Sequence, residues 1–134
     1  QGTVLPYTKP LIVLIDEMSA SAAEVFAAGN QDNARGPLVG WRTMGAGGNV
    51  TNWTAGAYSL GVASVTESLM NRGRDVTTEF LPMGGYPTAP YIENIGVRPD
   101  VSIDYMTSGN LYQSGKPFVD AFVTEIVNQI LKSR

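Results

Sequence analysis

The sequence predicts an α/β fold, and three features predict it. The run Pro10-Leu11-Ile12-Val13-Leu14-Ile15-Asp16 is almost continuously apolar, as in strands covered on both faces of a parallel sheet. It passes through Glu17-Met18-Ser19 into Ser21-Ala22-Ala23-Glu24-Val25-Phe26-Ala27-Ala28, whose alanines and Ser21/Glu24 capping-box spacing mark a helix N-terminus. Near the other end Phe118, Phe122, Ile126 and Ile130 recur every four residues, with Val119, Val123 and Val127 beside them. That spacing gives a helix with a wide apolar stripe, which needs a sheet or another helix beneath it.

The elements follow in order. Residues 11–15 read as a buried strand, and because a buried strand needs hydrogen-bonded neighbours, its partners are expected upstream of this sequence. The helix after Ser21 is expected to end near Asn33, ahead of Gly36-Pro37. Leu38-Val39-Gly40-Trp41 reads as a short strand and Gly45-Ala46-Gly47-Gly48 as a hairpin-like loop. Tyr58-Ser59-Leu60-Gly61-Val62-Ala63-Ser64-Val65 suits a further strand. Residues 82–99 hold four prolines and three glycines, which predicts an irregular surface segment. Val101-Ser102-Ile103 reads as a last strand, and Pro117 opens the C-terminal helix.

Composition narrows the function. Hydrophobic residues make up 43% of the 134 residues and charged ones 16%, which fits a globular chain. The net charge of −3, with no cluster of lysine or arginine, argues against a nucleic-acid partner. No apolar run approaches the roughly 20 residues of a membrane span. Cysteine and histidine are both absent, which removes thiolate chemistry, the commonest metal ligands and the commonest general base. No cofactor is expected, and the one metal site left open is an all-oxygen calcium site.

Ser21 carries the first chemical argument. A serine at a helix N-terminus sits among unpaired backbone N–H groups and the positive end of the helix dipole, which stabilise developing negative charge. The N–H of Ala22 is placed to donate to an oxyanion, as the residue after the nucleophile does in other hydrolases. Ala20, Ala22 and Ala23 leave room for a carbonyl. A plain N-cap has the same spacing, and spacing alone favours the cap.

The segment from Leu11 to Glu24, with Ser19-Ala20-Ser21-Ala22-Ala23-Glu24 at its end, is followed by Gln31-Asp32-Asn33-Ala34-Arg35, Leu38-Val39-Gly40 and Thr43-Met44-Gly45. Glu93-Asn94-Ile95-Gly96-Val97-Arg98-Pro99-Asp100 comes later. Taken in order, these stretches resemble the nucleophile-bearing, C-terminal part of the catalytic domain of the tail-specific (C-terminal processing) and tricorn serine peptidases. The resemblance implies a ClpP/crotonase-like spiral, with residues 1–134 a partial domain that lacks its N-terminal strands. It makes Ser21 the nucleophile and a polypeptide, cut at C-terminal or unfolded regions, the substrate. It also implies the remainder of the catalytic domain as an upstream partner, a possible homo-oligomer, and a periplasmic, cell-envelope or secreted location.

One position departs from the pattern. The Ser–Lys branch of this family carries its base in a Thr-x-Gly-Lys-Gly element, which here reads Thr43-Met44-Gly45-Ala46-Gly47. Alanine has no proton acceptor, so three readings stay open: a lysine replaced by Ala46, a noncatalytic relative, or the tricorn-like branch that uses serine, histidine and glutamate. Glu79, in Asp75-Val76-Thr77-Thr78-Glu79-Phe80, lies close to where that branch has its glutamate. There it would stabilise the charge behind an imidazole base. By the same resemblance the histidine and a glycine-rich oxyanion loop lie upstream, and the chain alone is expected to be inactive. Asp32 reads as structural, paired with Arg35 or Arg42. Trp41, Trp53 and Tyr58 read as packing residues, and the sequons at Asn49 and Asn52 bear weight only in a secreted eukaryotic protein. The rival function is a noncatalytic relative that binds peptide or stabilises an assembly.

Overall fold

A computed structural model describes residues 6–54, 56, 60–76 and 89–132. The order of elements is β1 (Val13–Ile15), α1 (Ala22–Asp32), β2 (Leu38–Gly40), β3 (Gly48–Thr54), β4 (Val62–Leu69), β5 (Asn71–Val76), β6 (Ala89–Tyr91), β7 (Val101–Ser102), α2 (Ser108–Tyr112) and α3 (Lys116–Lys132). The mixture of helix and strand agrees with the α/β expectation. Strands β1, β2 and β7 form a parallel sheet in that order, with Val13 beside Leu38 and Val39 beside Val101. Two antiparallel ribbons, β3–β4 and β5–β6, complete the strands described.

Parallel pairing of β1 and β2 requires a crossover, and α1 supplies it. The core is small: Ile15, Ala27, Ala28, Leu38, Ile92 and Val97 are buried together, with Val13 and Met70 packed against them. Gly40 has φ +125°, and a Cβ there would stand 2.2 Å from the Ile15 carbonyl oxygen, so only glycine lets β2 lie this close to β1.

Several expectations change. The first strand is Val13–Ile15 rather than residues 11–15, and it is not buried on both faces: Leu14 is 48% exposed while Ile15 is buried. In the described sheet β1 pairs with β2 alone. Of the strand expected at 58–65, residues 58 and 59 lie outside the described residues; the strand described is Val62–Leu69, since the register of the β3–β4 ribbon pairs Gly48 with Leu69 and Thr54 with Val62. The β5 strand, Arg72 included, has no signal in the sequence, since Asn71-Arg72-Gly73-Arg74-Asp75 lacks apolar alternation.

Of the proline-rich stretch at 82–99, residues 82–88 lie outside the described residues, and the described remainder is not all irregular surface. Ile92, Ile95 and Val97 are buried, and the chain turns over Thr43 so closely that a Cβ on Gly96 (φ +76°) would lie 2.5 Å from the Thr43 carbonyl oxygen. The prolines hid this because they exclude regular structure, not burial.

The C-terminal helix forms as the periodicity predicts. Thr107 caps α2 by accepting from the Asn110 N–H at 3.2 Å, and the Asn110 side chain accepts from Phe118 N at 3.0 Å, which ties α2 to α3. Phe118 packs edge-on between Tyr105 and Phe122. The expected cover is partial, however: no residue of α3 is buried, and Val119, Val123 and Val127 are 44–48% exposed. Among the described residues no helix is long and apolar enough to cross a membrane.

Candidate functional site

The turn between β1 and α1 is built on Asp16. Its Oδ1 accepts from the N–H groups of Met18 and Ser19, each at 3.0 Å, and from the Ser19 hydroxyl at 3.1 Å. This Asx-type turn reverses the chain straight after the strand and delivers Ser21 to the start of α1. Ser21 is exposed, with φ 55° and ψ −117°. A non-glycine residue at positive φ is sterically disfavoured, and such strain is characteristic of functional turns that project a side chain.

Glu24 holds that conformation in place. Its side chain is fully buried. Oε2 accepts from the Ser21 N–H at 3.1 Å, the half of the capping box foreseen from the spacing. The other contacts leave the helix: Oε2 also accepts from Ala46 N at 2.8 Å, and Oε1 accepts from Gly45 N at 2.7 Å and the Thr43 hydroxyl at 2.5 Å. Thr43 Oγ1 in turn accepts from Val97 N at 2.6 Å, and Met44 N donates to the Ser19 carbonyl at 2.9 Å. One carboxylate thus takes four donors and joins the Ser21 turn to the 43–46 loop and, through Thr43, to the 92–97 segment. Buried charge is tolerated because every contact is a charge-assisted hydrogen bond.

The expected site residues can be located against this frame. Ser21 stands at the first turn of α1, as its spacing predicts, and Ala22 is the first residue of the helix, with its N–H in the unpaired first turn. Ala46 lies on the loop held by Glu24, so the amides of Ser21 and Ala46 share one acceptor oxygen. Glu79 falls outside the described residues. Strand β5, which ends at Val76, is tied to the far end of α1: Arg72 makes a fork onto Asp32. Asp32 therefore pairs with Arg72, not with Arg35 or Arg42. Arg35 donates to the carbonyls of Tyr7 and Lys9, and Arg42 to that of Ile95. The nearer arginines in sequence point off the helix, and only the sheet brings Arg72 to it.

Trp53, one of the expected packing residues, is instead 59% exposed on β3. In the sequence Glu24 reads as a cap and Thr43 as part of a motif. Neither the burial of Glu24 nor its reach across the chain has a local signature. Beside the turn, the Tyr105 hydroxyl is pushed up to about 12, chiefly by its hydrogen bond to Glu17. No group of histidine, cysteine, aspartate and glutamate able to hold a metal occurs among the described residues.

A strand, a tight turn bearing an exposed strained serine, and a helix whose N-terminus faces that serine are the parts of a hydrolase nucleophile turn. The family comparison agrees in class: the model of peptidase family S41 matches residues 2–103, and the chain belongs to that family. It is 32% identical over 126 residues to the chloroplastic carboxyl-terminal-processing peptidase 3 of Arabidopsis thaliana, covering 92% of this chain and 19% of that protein. It is 31% identical over 128 residues to a Chlamydia trachomatis protein, covering 95% of this chain and 19% of that one. Among solved structures, mature CPAF complexed with lactacystin superposes with a TM-score of 0.71 at 32% identity, over 96% of this chain and 22% of that one. The chain thus spans about a fifth of the length of these relatives.

Proposed function

We propose that the full-length protein is a serine endopeptidase that cleaves polypeptides at C-terminal or unfolded regions, with Ser21 as its nucleophile. The observation that carries this reading is the exposed Ser21 at φ 55°, locked by the buried Glu24 at the mouth of α1. Attack by Oγ on a peptide carbonyl would place the new oxyanion near the Ala22 N–H and the positive helix end. The proton from Oγ passes to a base outside residues 1–134, a histidine assisted by Glu79, since this chain has no histidine. Residues 1–134 then form the C-terminal, nucleophile-bearing part of a ClpP/crotonase-like catalytic domain, whose remainder supplies the base and the neighbouring strands. Family membership supports the peptidase class, and the turn geometry supports the role of Ser21.

A second reading has an observation of its own. Ala46 shares an acceptor with Ser21, so a lysine at 46 would start its side chain beside the nucleophile, as a Ser–Lys dyad requires. On that reading the chain is a disabled Ser–Lys peptidase, or a noncatalytic relative that binds peptide.

Hydrolysis of an unfolded polypeptide by the full-length protein separates these. Ser21→Ala is expected to abolish turnover, and Glu79→Gln to lower kcat by orders of magnitude, by analogy with the acid of a serine triad. Ala46→Lys is expected to leave kcat unchanged or reduced. Rescue of an inactive parent by Ala46→Lys, with Glu79→Gln silent, would establish the Ser–Lys reading instead.

A further inference from the structure

Two methionines belong to the structure around Ser21, and both leave their sulfur in water. Met18 stands three positions before Ser21 and is 74% exposed. Its N–H donates to Asp16 Oδ1 at 3.0 Å, so it is part of the turn itself. Met44 is 47% exposed, and its N–H donates to the Ser19 carbonyl at 2.9 Å. Its neighbours Thr43 and Gly45 both donate to the buried Glu24. The main chain at each methionine is therefore pinned to the frame that holds Ser21, while the side chain is open. Met70 shows the usual alternative: it packs against the buried cluster, as a flexible thioether filling a gap in a core does.

This placement has a chemical consequence. A peptide carbonyl on Ser21 Oγ, with its oxygen at the Ala22 N–H, brings the residues beside the scissile bond over the turn and the 43–46 loop. Thioethers there give an apolar, polarisable and adaptable surface. The same exposure opens them to peroxides. A sulfur lone pair attacks one peroxide oxygen, the O–O bond breaks and the S–O bond of a sulfoxide forms. The thioether is oxidised by two electrons, and hydrogen peroxide leaves as water. The product is polar and chiral, and methionine sulfoxide reductases return it to the thioether. Both methionines hold the frame by backbone N–H groups alone among the bonds described, so oxidation changes the surface and leaves those bonds in place.

We propose that Met18 and Met44 form a peroxide-sensitive modification site on the Ser21 turn, whose conversion to sulfoxide reversibly lowers polypeptide turnover. This rests on the peptidase reading above, with Ser21 as nucleophile, because it is the approach of substrate to Ser21 that puts the two side chains in contact with it.

The test treats the full-length protein with hydrogen peroxide and follows three quantities: sulfoxide at each methionine by peptide mass spectrometry, hydrolysis of an unfolded polypeptide, and melting temperature. As sulfoxide forms at positions 18 and 44, kcat/KM is expected to fall on the order of tenfold, the scale of losing an apolar side-chain contact with substrate. The melting temperature is expected to hold, and treatment with methionine sulfoxide reductase and a thiol is expected to restore the rate. Each variant is then referred to its own untreated rate. Met18→Leu with Met44→Leu, which keeps apolar bulk without sulfur, is expected to retain most of that rate after peroxide. Met106→Leu removes another methionine, 60% exposed, and is expected to be as sensitive as the parent. The proposal is overturned if both sulfoxides form and the rate is unchanged, or if the folded double variant loses as much as the parent. It is also overturned if Met18 and Met44 stay reduced under peroxide that oxidises Met106. Should the double variant not fold, the parent decides alone: thioethers regained at 18 and 44 with no recovery of rate sink the idea. Ser21→Ala keeps the two failures apart. Hydrolysis persisting in it removes the peptidase reading itself, whereas a parent that needs Ser21 yet is indifferent to the two sulfoxides removes only the methionine site.

Discussion

The Ser21–Glu24 region and the β3–β4 ribbon hold comparable amounts of chain and could hardly be held together more differently. Around Glu24, the Ser21 turn and the 43–46 loop converge on one buried carboxylate, the 92–97 segment joins them through Thr43, and Ile15, Leu38, Ile92 and Val97 belong to one buried cluster. In the ribbon every residue of β4 is exposed, and Val50, Trp53, Val62 and Val65 stand 47–61% open to solvent. Its order comes from the ladder itself, a Thr51–Glu67 hydrogen bond of 2.7 Å and a Ser64–Asn52 bond of 2.6 Å on opposite faces. Two strands with no covered face are marginal in water. The lesson is that stability in this chain is concentrated where the candidate nucleophile is held, and the strain at Ser21 is borne by that concentration.

That contrast can be broken by mutation. The largest effect is expected for Glu24→Gln. The amide has one acceptor oxygen and turns an NH2 group toward backbone donors, leaving buried N–H groups of the turn or loop unpaired. A loss of about 3 kcal/mol or more is expected, read from denaturant unfolding of the full-length protein. A loss below about 1 kcal/mol would show that the carboxylate does not organise the region.

Ser21 sharpens the comparison from the other side. Ser21→Gly should be more stable than Ser21→Ala by about 1 kcal/mol, because glycine alone accepts φ 55° without steric conflict. Equal melting temperatures for the two variants would mean that the turn relaxes freely and Glu24 holds no strain.

In the ribbon, Trp53→Ala is expected to change stability by no more than about 0.5 kcal/mol, since the side chain is already mostly in water. A larger loss in the full-length protein would show that the ribbon is covered there.

The smallest effect concerns Tyr105. Its folded pKa is raised from 10.0 to about 12, first by the Glu17 hydrogen bond, so the neutral phenol is favoured by folding. This contribution is complete below pH 10 and is lost as pH rises through about 12. Phenolate absorbance should show one tyrosine titrating near 12 that moves back toward 10.0 in Glu17→Gln.

What the sequence determined by itself is local. The apolar run, the turn, the Ser21/Glu24 spacing and the four-residue recurrence of Phe118, Phe122, Ile126 and Ile130 each act within a few residues. The β1 region, the start and end of α1, and α3 were legible for that reason. The family was legible too, because its motifs are contiguous stretches in a fixed order. Tertiary structure decided which polar groups meet. Glu24 reads as half of a capping box, yet three of its four donors lie on residues 43–46. Asp32 has Arg35 close by in sequence and takes Arg72 instead. Ile92 and Val97 sit in a proline-marked stretch and are core. Hydrogen-bond partners far apart in sequence leave no periodicity, since only the parallel crossover from β1 through α1 to β2 fixes which loops arrive at the buried end of the helix.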